Sequence, residues 1–264
     1  MKIAVFFDGA GLARLGLEQA GHECVGFERN PVAHHLGQSV GSGNSVLADV
    51  RDVDLSSFDG LWASPPCQWT SAARTQGAPV SEFADPLLAW SLEARQRWPH
   101  LEVLWVECAE GNARGRFPTW GKVYNAYQFG GRQNRNRVIG GLYPEPVARH
   151  AWRKWFPEAA PAVTATEYKG CATDTRRASR FFGRRATLEE CADLQGLTIP
   201  AAWYEPLAGY DMDSVSGDRS WIRQLYTAIG NGVPVHMARA FGEAVGKREA
   251  VPAAMGDLFG VVAA

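Results

Sequence analysis

The 264-residue chain predicts an α/β fold: a doubly wound, mainly parallel sheet with helices on both faces, followed by a smaller irregular unit. Three features carry that prediction. Short apolar runs alternate with helix-length amphipathic segments through residues 1–110, the pattern of right-handed strand–helix–strand crossovers. Polar residues (Asp8, Glu28, Asp49, Cys67 and Glu107) stand just past the apolar runs, at the sheet edge where open parallel sheets bind ligands. Hydrophobic residues make up 46% of the chain, enough to bury a core.

Residues 3–7 read as the first strand, ended by Asp8-Gly9-Ala10-Gly11. Residues 12–20 read as a helix that Gly21-His22 stops. Residues 24–27 form the second strand, closed by Glu28. Residues 61–63 form another, ended by Ser64-Pro65-Pro66, and residues 86–98 are helical. Residues 103–106 are a further strand, ended by Glu107. Residues 123–129 and 137–143 flank Gly130-Gly131 and suggest an antiparallel pair. Residues 144–183 are rich in Pro, Arg and Thr, with weak periodicity. Thr187 with Glu190 three residues on is a capping box, so residues 187–194 start a helix. Residues 198–220 are irregular, and 234–246 are helical. The expected units are 1–143, 144–220, a C-terminal helix within 221–250 that returns to the first unit, and a tail over 251–264.

The chain holds 27 basic and 28 acidic side chains, yet residues 132–185 are locally +8. Such a segment is either a solvated Arg-rich face or a polyanion-binding surface. Near-zero net charge and the apolar content exclude a disordered tail or a polycation. No run approaches the ~18–20 apolar residues of a membrane span, and the N-terminus lacks a secretory h-region. A cytoplasmic chain is expected. The five cysteines form no C-x-x-C pair and no zinc spacing, so free thiols and no metal are expected.

Phe7-Asp8-Gly9-Ala10-Gly11 joins a strand to a helix, and glycines there let backbone approach a ligand closely. Glu28 lies about 20 residues on, at the end of the next strand, where an acid commonly binds a ribose diol. The pair points to a nucleoside-containing cofactor without distinguishing a dinucleotide from S-adenosylmethionine. In Ser64-Pro65-Pro66-Cys67-Gln68 two prolines stiffen the chain before a thiol, a setting that suits a nucleophile. In Gln133-Asn134-Arg135-Asn136-Arg137, strand alternation would put Gln133, Arg135 and Arg137 on one face, three donors for a carbonyl and phosphates.

Taken in order, these segments resemble the DNA cytosine-5 methyltransferases. Phe7-x-Gly9-x-Gly11 resembles the first cofactor motif, and Pro65-Pro66-Cys67-Gln68 the catalytic loop. Val106-Glu107 stands at the Glu-Asn-Val position, and Gln133-x-Arg135-x-Arg137 is similar to the Gln-x-Arg-x-Arg motif. Arg184-x-x-Thr187-x-x-Glu190, with Leu194-Gln195-Gly196, resembles the segment closing the target-recognition region. Gly230-Asn231-Gly232-Val233 resembles the final motif. The resemblance spans residues 5 to 245. It implies a Rossmann-like methyltransferase sheet with a small target-recognition region, S-adenosylmethionine as cofactor, and double-stranded DNA as partner. It also implies a monomer and a bacterial or phage restriction-modification setting.

Residue by residue, the resemblance implies that Phe7, Gly9, Gly11, Glu28, Asp49, Pro66 and Asn231 serve the cofactor. Cys67 would attack C6 of a flipped cytosine, Glu107 would hold its N3 and amino edge, and Arg135 and Arg137 would contact ring and backbone. Gln133 and the recognition-region arginines Arg176, Arg177, Arg180 and Arg184 would contact DNA. The chemistry is coherent: cytosine C5 is a poor nucleophile until a thiolate adds at C6, and C6 is out of reach until the base leaves the duplex. Leu12 replaces a common glycine, Asp8 replaces a small neutral residue, and Cys108 replaces an asparagine. The short recognition region predicts a short or relaxed target. Two rivals remain at this stage: an RNA (tRNA) cytosine-5 methyltransferase, whose Cys-Phe-Thr tripeptide is absent, and an inactive DNA-binding homologue.

Overall fold

The computed structural model describes residues 1–66, 84–110, 121–169, 178–212 and 219–246. Its strands are β1 (Lys2–Phe6), β2 (Glu23–Glu28), β3 (Ser45–Leu47), β4 (Gly60–Ala63), β5 (Val103–Ala109), β6 (Lys122–Asn125), β7 (Gln133–Asn134), β8 (Asn136–Leu142) and β9 (Ala160–Pro161). Its helices are α1 (Leu12–Gln19), α2 (Pro31–Gly37), α3 (Ala84–Leu92), α4 (Ala94–Arg97), α5 (Ala178–Phe182), α6 (Leu188–Gln195), α7 (Trp221–Asn231) and α8 (Val235–Val245).

Seven strands form one sheet in the order β3-β2-β1-β4-β5-β8-β6. The first five are parallel, and β8 runs antiparallel to both its neighbours. Alternation along β1 sends Ile3 and Val5 to one face and Ala4 and Phe6 to the other. The first face is covered by α1 and α8, which cross where Gly16 meets the Val235 carbonyl; a Cβ at position 16 would stand 2.5 Å from that oxygen. Leu88 of α3 and Ala94 of α4 cover the second face. The chain reverses its order beside β1, so the C-terminal ends of β1, β2 and β4 lie side by side at the switch point, the edge where open parallel sheets bind ligands.

A third core joins the later residues to the first unit. Leu188, Leu194, Trp203, Trp221, Leu225 and Ile229 pack with Leu12, Val32 and Leu36. Trp203 donates its indole N–H to the Leu36 carbonyl at 3.0 Å, and Trp221 donates to Trp203 O at 2.6 Å. Residues from the later part of the chain thus close over the start of α1 and over α2.

The chain departs from the expected local structure at three places. The strand expected to reach residue 129 ends at Asn125, because the Asn125 side chain caps a 3₁₀ turn over Ala126–Phe129 and Gln128 returns the bond. The helix expected at 234–246 is present as α8, and a further helix, α7, precedes it and stops before Pro234, which lacks an N–H. Only α8 returns to the sheet; α7 belongs to the third core. The helix over 86–98 is likewise split into α3 and α4. The capping box at Thr187 and Glu190 is formed.

Candidate active site

The turn after β1 is sharp enough that Phe7, Gly9 and Gly11 all take positive φ, at 58°, 58° and 83°. For Phe7 this is a conformation L-residues rarely adopt, worth on the order of 1–2 kcal/mol, and it persists because the flanking structure holds it. Glu28, at the end of β2, accepts the Gly9 N–H through one carboxylate oxygen (2.9 Å) and the Asn30 N–H through the other (2.7 Å). Its carboxylate is thereby aimed beside the turn with acceptor capacity left over.

Asp8 is buried beneath this turn, not within it. Its carboxylate takes the Nε–H of buried Arg14 at 3.0 Å, and Arg14 also donates to Gly37 O (2.6 Å) and Val40 O (3.0 Å). Room exists because position 26 is glycine: a Cβ there would collide with the Asp8 carboxylate. The substitution of Asp8 for a small neutral residue is thus accommodated from below, and the cradle over Gly9 stays open. The residues present fit a nucleoside-containing ligand: an aromatic ring at Phe7, an oriented acid at Glu28 and close-approach glycines.

Burial pushes the Asp8 carboxyl up to about 6, against the pull of Arg14. The folded state therefore holds a proton that an unfolded chain, with its carboxyl at 3.8, has already released. The stability this contributes is complete below about pH 4 and is lost as pH rises through 6. Urea unfolding at pH 4.5 and 7.0 should show a wild-type loss that Asp8→Asn removes; equal pH dependence in both proteins would contradict it.

Asp49 follows β3 but is committed to arginines. It pairs with Arg51 at 2.6 Å and with Arg29 at 3.5 Å, and the bonds from Arg51 hold its carboxyl well below the usual range. Asp49 thus caps the following 3₁₀ turn, Val50–Asp52.

At the next strand ends, Glu107 on β5 and Arg137 on β8 face each other. Arg137 Nε lies 2.6 Å from Glu107 Oε1, with both side chains nearly buried. Their register places Ala109 opposite Arg137 and Glu107 opposite Ile139. Pairing of Ala63 with Val106 puts the end of β4 beside this pair. The Ser64 N–H bonds to Phe6 O at 3.2 Å, and Pro65 and Pro66 then lead to Cys67. Cys67 itself, like Arg176 and Arg177, lies outside the described residues.

Gln133, Arg135 and Arg137 do not share a strand face, because β7 ends at Asn134 and β8 begins at Asn136. Gln133 is fully buried. Its amide donates to Leu194 O (2.7 Å) and Gln195 Oε1 (2.8 Å), and its carbonyl accepts the Val163 N–H (3.0 Å). Arg135 is also buried and donates to Val163 O, to Gly230 O (2.6 Å) and to Gly232 O (2.9 Å). These two side chains tie together the segments around residues 163, 195 and 231, so neither is presented to a ligand as expected. Arg135→Ala should strip these carbonyls of a charged donor and lower unfolding stability by roughly 3–5 kcal/mol. Urea denaturation checks this; a loss below about 1 kcal/mol would contradict it.

The residues between the motif positions went unassigned by sequence reasoning. Asn134 donates to Phe156 O (2.8 Å) and accepts the Phe156 N–H (2.7 Å). Asn136 donates to Glu110 Oε2 (2.8 Å) and Lys154 O (3.2 Å). The amide side chains themselves were the available signal: each both donates and accepts, so it can hold a neighbouring backbone.

Among the remaining expected residues, Arg180 is exposed on α5. Arg184 is exposed but paired with Glu190 at 2.6 Å, bracing the capping box. Asn231 is exposed at the end of α7. The next residue, Gly232, packs on Leu12, so the turn after α7 sits against the start of α1. The described cysteines Cys24, Cys108 and Cys191 are buried and not joined in disulfides. No described helix is long and apolar enough to cross a membrane.

Residues 1–82 match the family model of C-5 cytosine-specific DNA methylases. No curated protein matches the chain. Among solved structures, an Entamoeba histolytica methyltransferase, EhMeth, aligns with TM-score 0.60 and 13% identity, covering 93% of this chain and 97% of that one. A mutant of Spodoptera frugiperda DNMT2 aligns with TM-score 0.55 and 12% identity over 93% of this chain and 99% of that one. An Escherichia coli protein described as a prophage-encoded DNA modification methyltransferase gives TM-score 0.57 and 12% identity over 93% and 98%. At these identities the structural likeness speaks for the fold. The N-terminal 82 residues thus carry the C-5 cytosine-specific DNA methylase family pattern, and nearly the whole chain shares its fold with methyltransferases.

Proposed function

We propose that this chain transfers a methyl group from S-adenosylmethionine to C5 of a cytosine in DNA, through a transient bond between Cys67 and C6. The observation that carries the reading is the buried Glu107–Arg137 pair, 2.6 Å apart, beside the strand that leads through Pro65-Pro66 to Cys67.

Phe7, Gly9, Gly11 and Glu28 would hold the cofactor, with Glu28 at its ribose; when bound, it supplies an electrophilic methyl group. Cys67 forms a sulfur–carbon bond to C6, and the displaced π electrons make C5 nucleophilic. Glu107 binds the N3 edge and draws the developing charge off the ring. Arg137, fixed on Glu107 and turned to Asn136 O at 2.8 Å, orients that carboxyl. After methylation the C5 proton leaves, the C6–sulfur bond breaks and Cys67 returns as thiolate. The base must be extruded first, at a cost of a few kcal/mol, which contacts between phosphates and the basic segment 132–185 offset.

Incubation with methyl-labelled S-adenosylmethionine and either duplex DNA or tRNA, followed by digestion to nucleosides, tests the reading. Labelled 5-methyldeoxycytidine is expected. Label only in tRNA would replace DNA by RNA as substrate, and label in neither would overturn the assignment.

A further inference from the structure

Residues 147–155, Val-Ala-Arg-His-Ala-Trp-Arg-Lys-Trp, form a continuous exposed ribbon. Trp152 and Trp155 are 47% and 52% exposed, although tryptophan is among the most apolar side chains to leave in water. The ribbon's backbone is nevertheless held at both ends. At one end the Arg149 N–H donates to Gln128 O at 2.7 Å, and His150 stacks on Tyr127 at 5.1 Å between ring centroids. At the other, Asn134 grips both backbone groups of Phe156, and Asn136 reaches Lys154 O. Asn134 and Asn136 are the intervening residues of the segment that supplies Arg137. Asn136 also bonds Glu110, three residues beyond Glu107. The ribbon is thus fastened to the same stretch of chain as the candidate catalytic arginine.

Its charge has one sign. Arg149, Arg153 and Lys154 lie within it and no acid does. The nearest acid before it, Glu145, is engaged by Lys122 at 2.6 Å and by Tyr124 at 2.9 Å. Two half-exposed indoles interleaved with three cations on an anchored backbone match the chemistry of a nucleic-acid strand with bases out of the stack: the rings stack on bases and the cations meet phosphates. A base already stacked within a duplex offers such rings no free face.

We propose that this ribbon is a stacking surface for unpaired nucleobases, with Trp152 and Trp155 as the plates, engaging the strand around the nucleotide that is drawn out toward Glu107. The proposal rests on the nucleic-acid reading of the site.

The test is fluorescence anisotropy with a labelled DNA single strand and with the fully paired duplex of the same sequence. The proteins are wild type, Trp152→Ala, Trp155→Ala, the double tryptophan variant and Arg153→Ala/Lys154→Ala, each checked by circular dichroism and thermal melting. Each single tryptophan variant should bind the single strand about tenfold more weakly, with duplex affinity changed less than about threefold. The charge variant should weaken both and reduce the salt slope by about 1–2. Tryptophan variants that bind the single strand like wild type, or that lose both probes equally, overturn the proposal. So does a concentration-dependent wild-type dimer that the double variant abolishes. A wild type that methylates DNA while its tryptophan variants bind unchanged sinks this inference alone; a wild type that neither binds nor methylates sinks the proposed function with it.

Discussion

Cys67→Ala is expected to bring methyl transfer down to background, a loss on the order of 10⁴–10⁶-fold in kcat, the scale seen when an enzyme loses its nucleophile. Without addition at C6 the ring stays aromatic and C5 has almost no nucleophilicity, so no other group in the site can substitute. The same variant should keep its melting temperature and its DNA affinity within about threefold, because the path to residue 67 is set by β4. That strand pairs with β1 and β5, and the Ser64 N–H is tied to Phe6 O at 3.2 Å. Residual transfer above about one per cent of wild type would place the nucleophile elsewhere.

Glu107→Gln is expected to lower kcat by about 10²–10⁴-fold with little change in KM, the range for losing a positioned acid–base group. Glutamine preserves shape. Its carbonyl can still accept from Arg137, which approaches Glu107 at 2.6 Å, and its amide can still donate to a ring nitrogen. What it lacks is the capacity to share a proton with N3 as charge develops. The split between an unchanged KM and a depressed kcat separates this role from simple binding. A raised KM with kcat unchanged would make Glu107 a binding residue, and kcat above half of wild type would remove it from the chemistry.

Much of this site is legible in the sequence because it sits at strand ends, and strand ends are where apolar runs stop. Glu28 and the glycine turn were locatable by that rule, and β1, β2 and β4 lie within a residue or so of their expected bounds. The helix α2 escaped it because residues 31–43 mix His, Gly and Ser with few apolar side chains. Yet Asn30-Pro31 is an N-cap followed by proline at the first helical position, and the Asn30 side chain does accept the Val32 and Ala33 N–H groups. Strand β3 is three residues long and largely exposed, too short for any periodicity to register.

What sequence could not supply was which way a polar residue points. Gln133 and Arg135 look like ligand-binding donors in one dimension. In three they are buried braces, because the carbonyls that accept them lie 28 to 97 residues away. Asp8 reads as an intrusion into the cofactor turn until Gly26 and Arg14 are seen to receive it. Both cases turn on long-range partners that local pattern does not encode. The asparagines of the same five-residue segment carry the converse lesson: they fasten the backbone of residues 154–156, which flank and include the exposed Trp155, to the segment that supplies Arg137.

The most direct measurement uses duplex DNA in which the target cytosine carries fluorine at C5. With S-adenosylmethionine present, addition at C6 and methylation at C5 can proceed, but fluorine cannot depart as a cation where a proton would, so the sulfur–carbon bond should persist. Denaturing electrophoresis and mass spectrometry are expected to show a one-to-one protein–DNA adduct, attached at Cys67 on peptide mapping and absent from Cys67→Ala. Active enzyme that methylates ordinary cytosine yet forms no adduct, or forms it through another residue, would contradict the account.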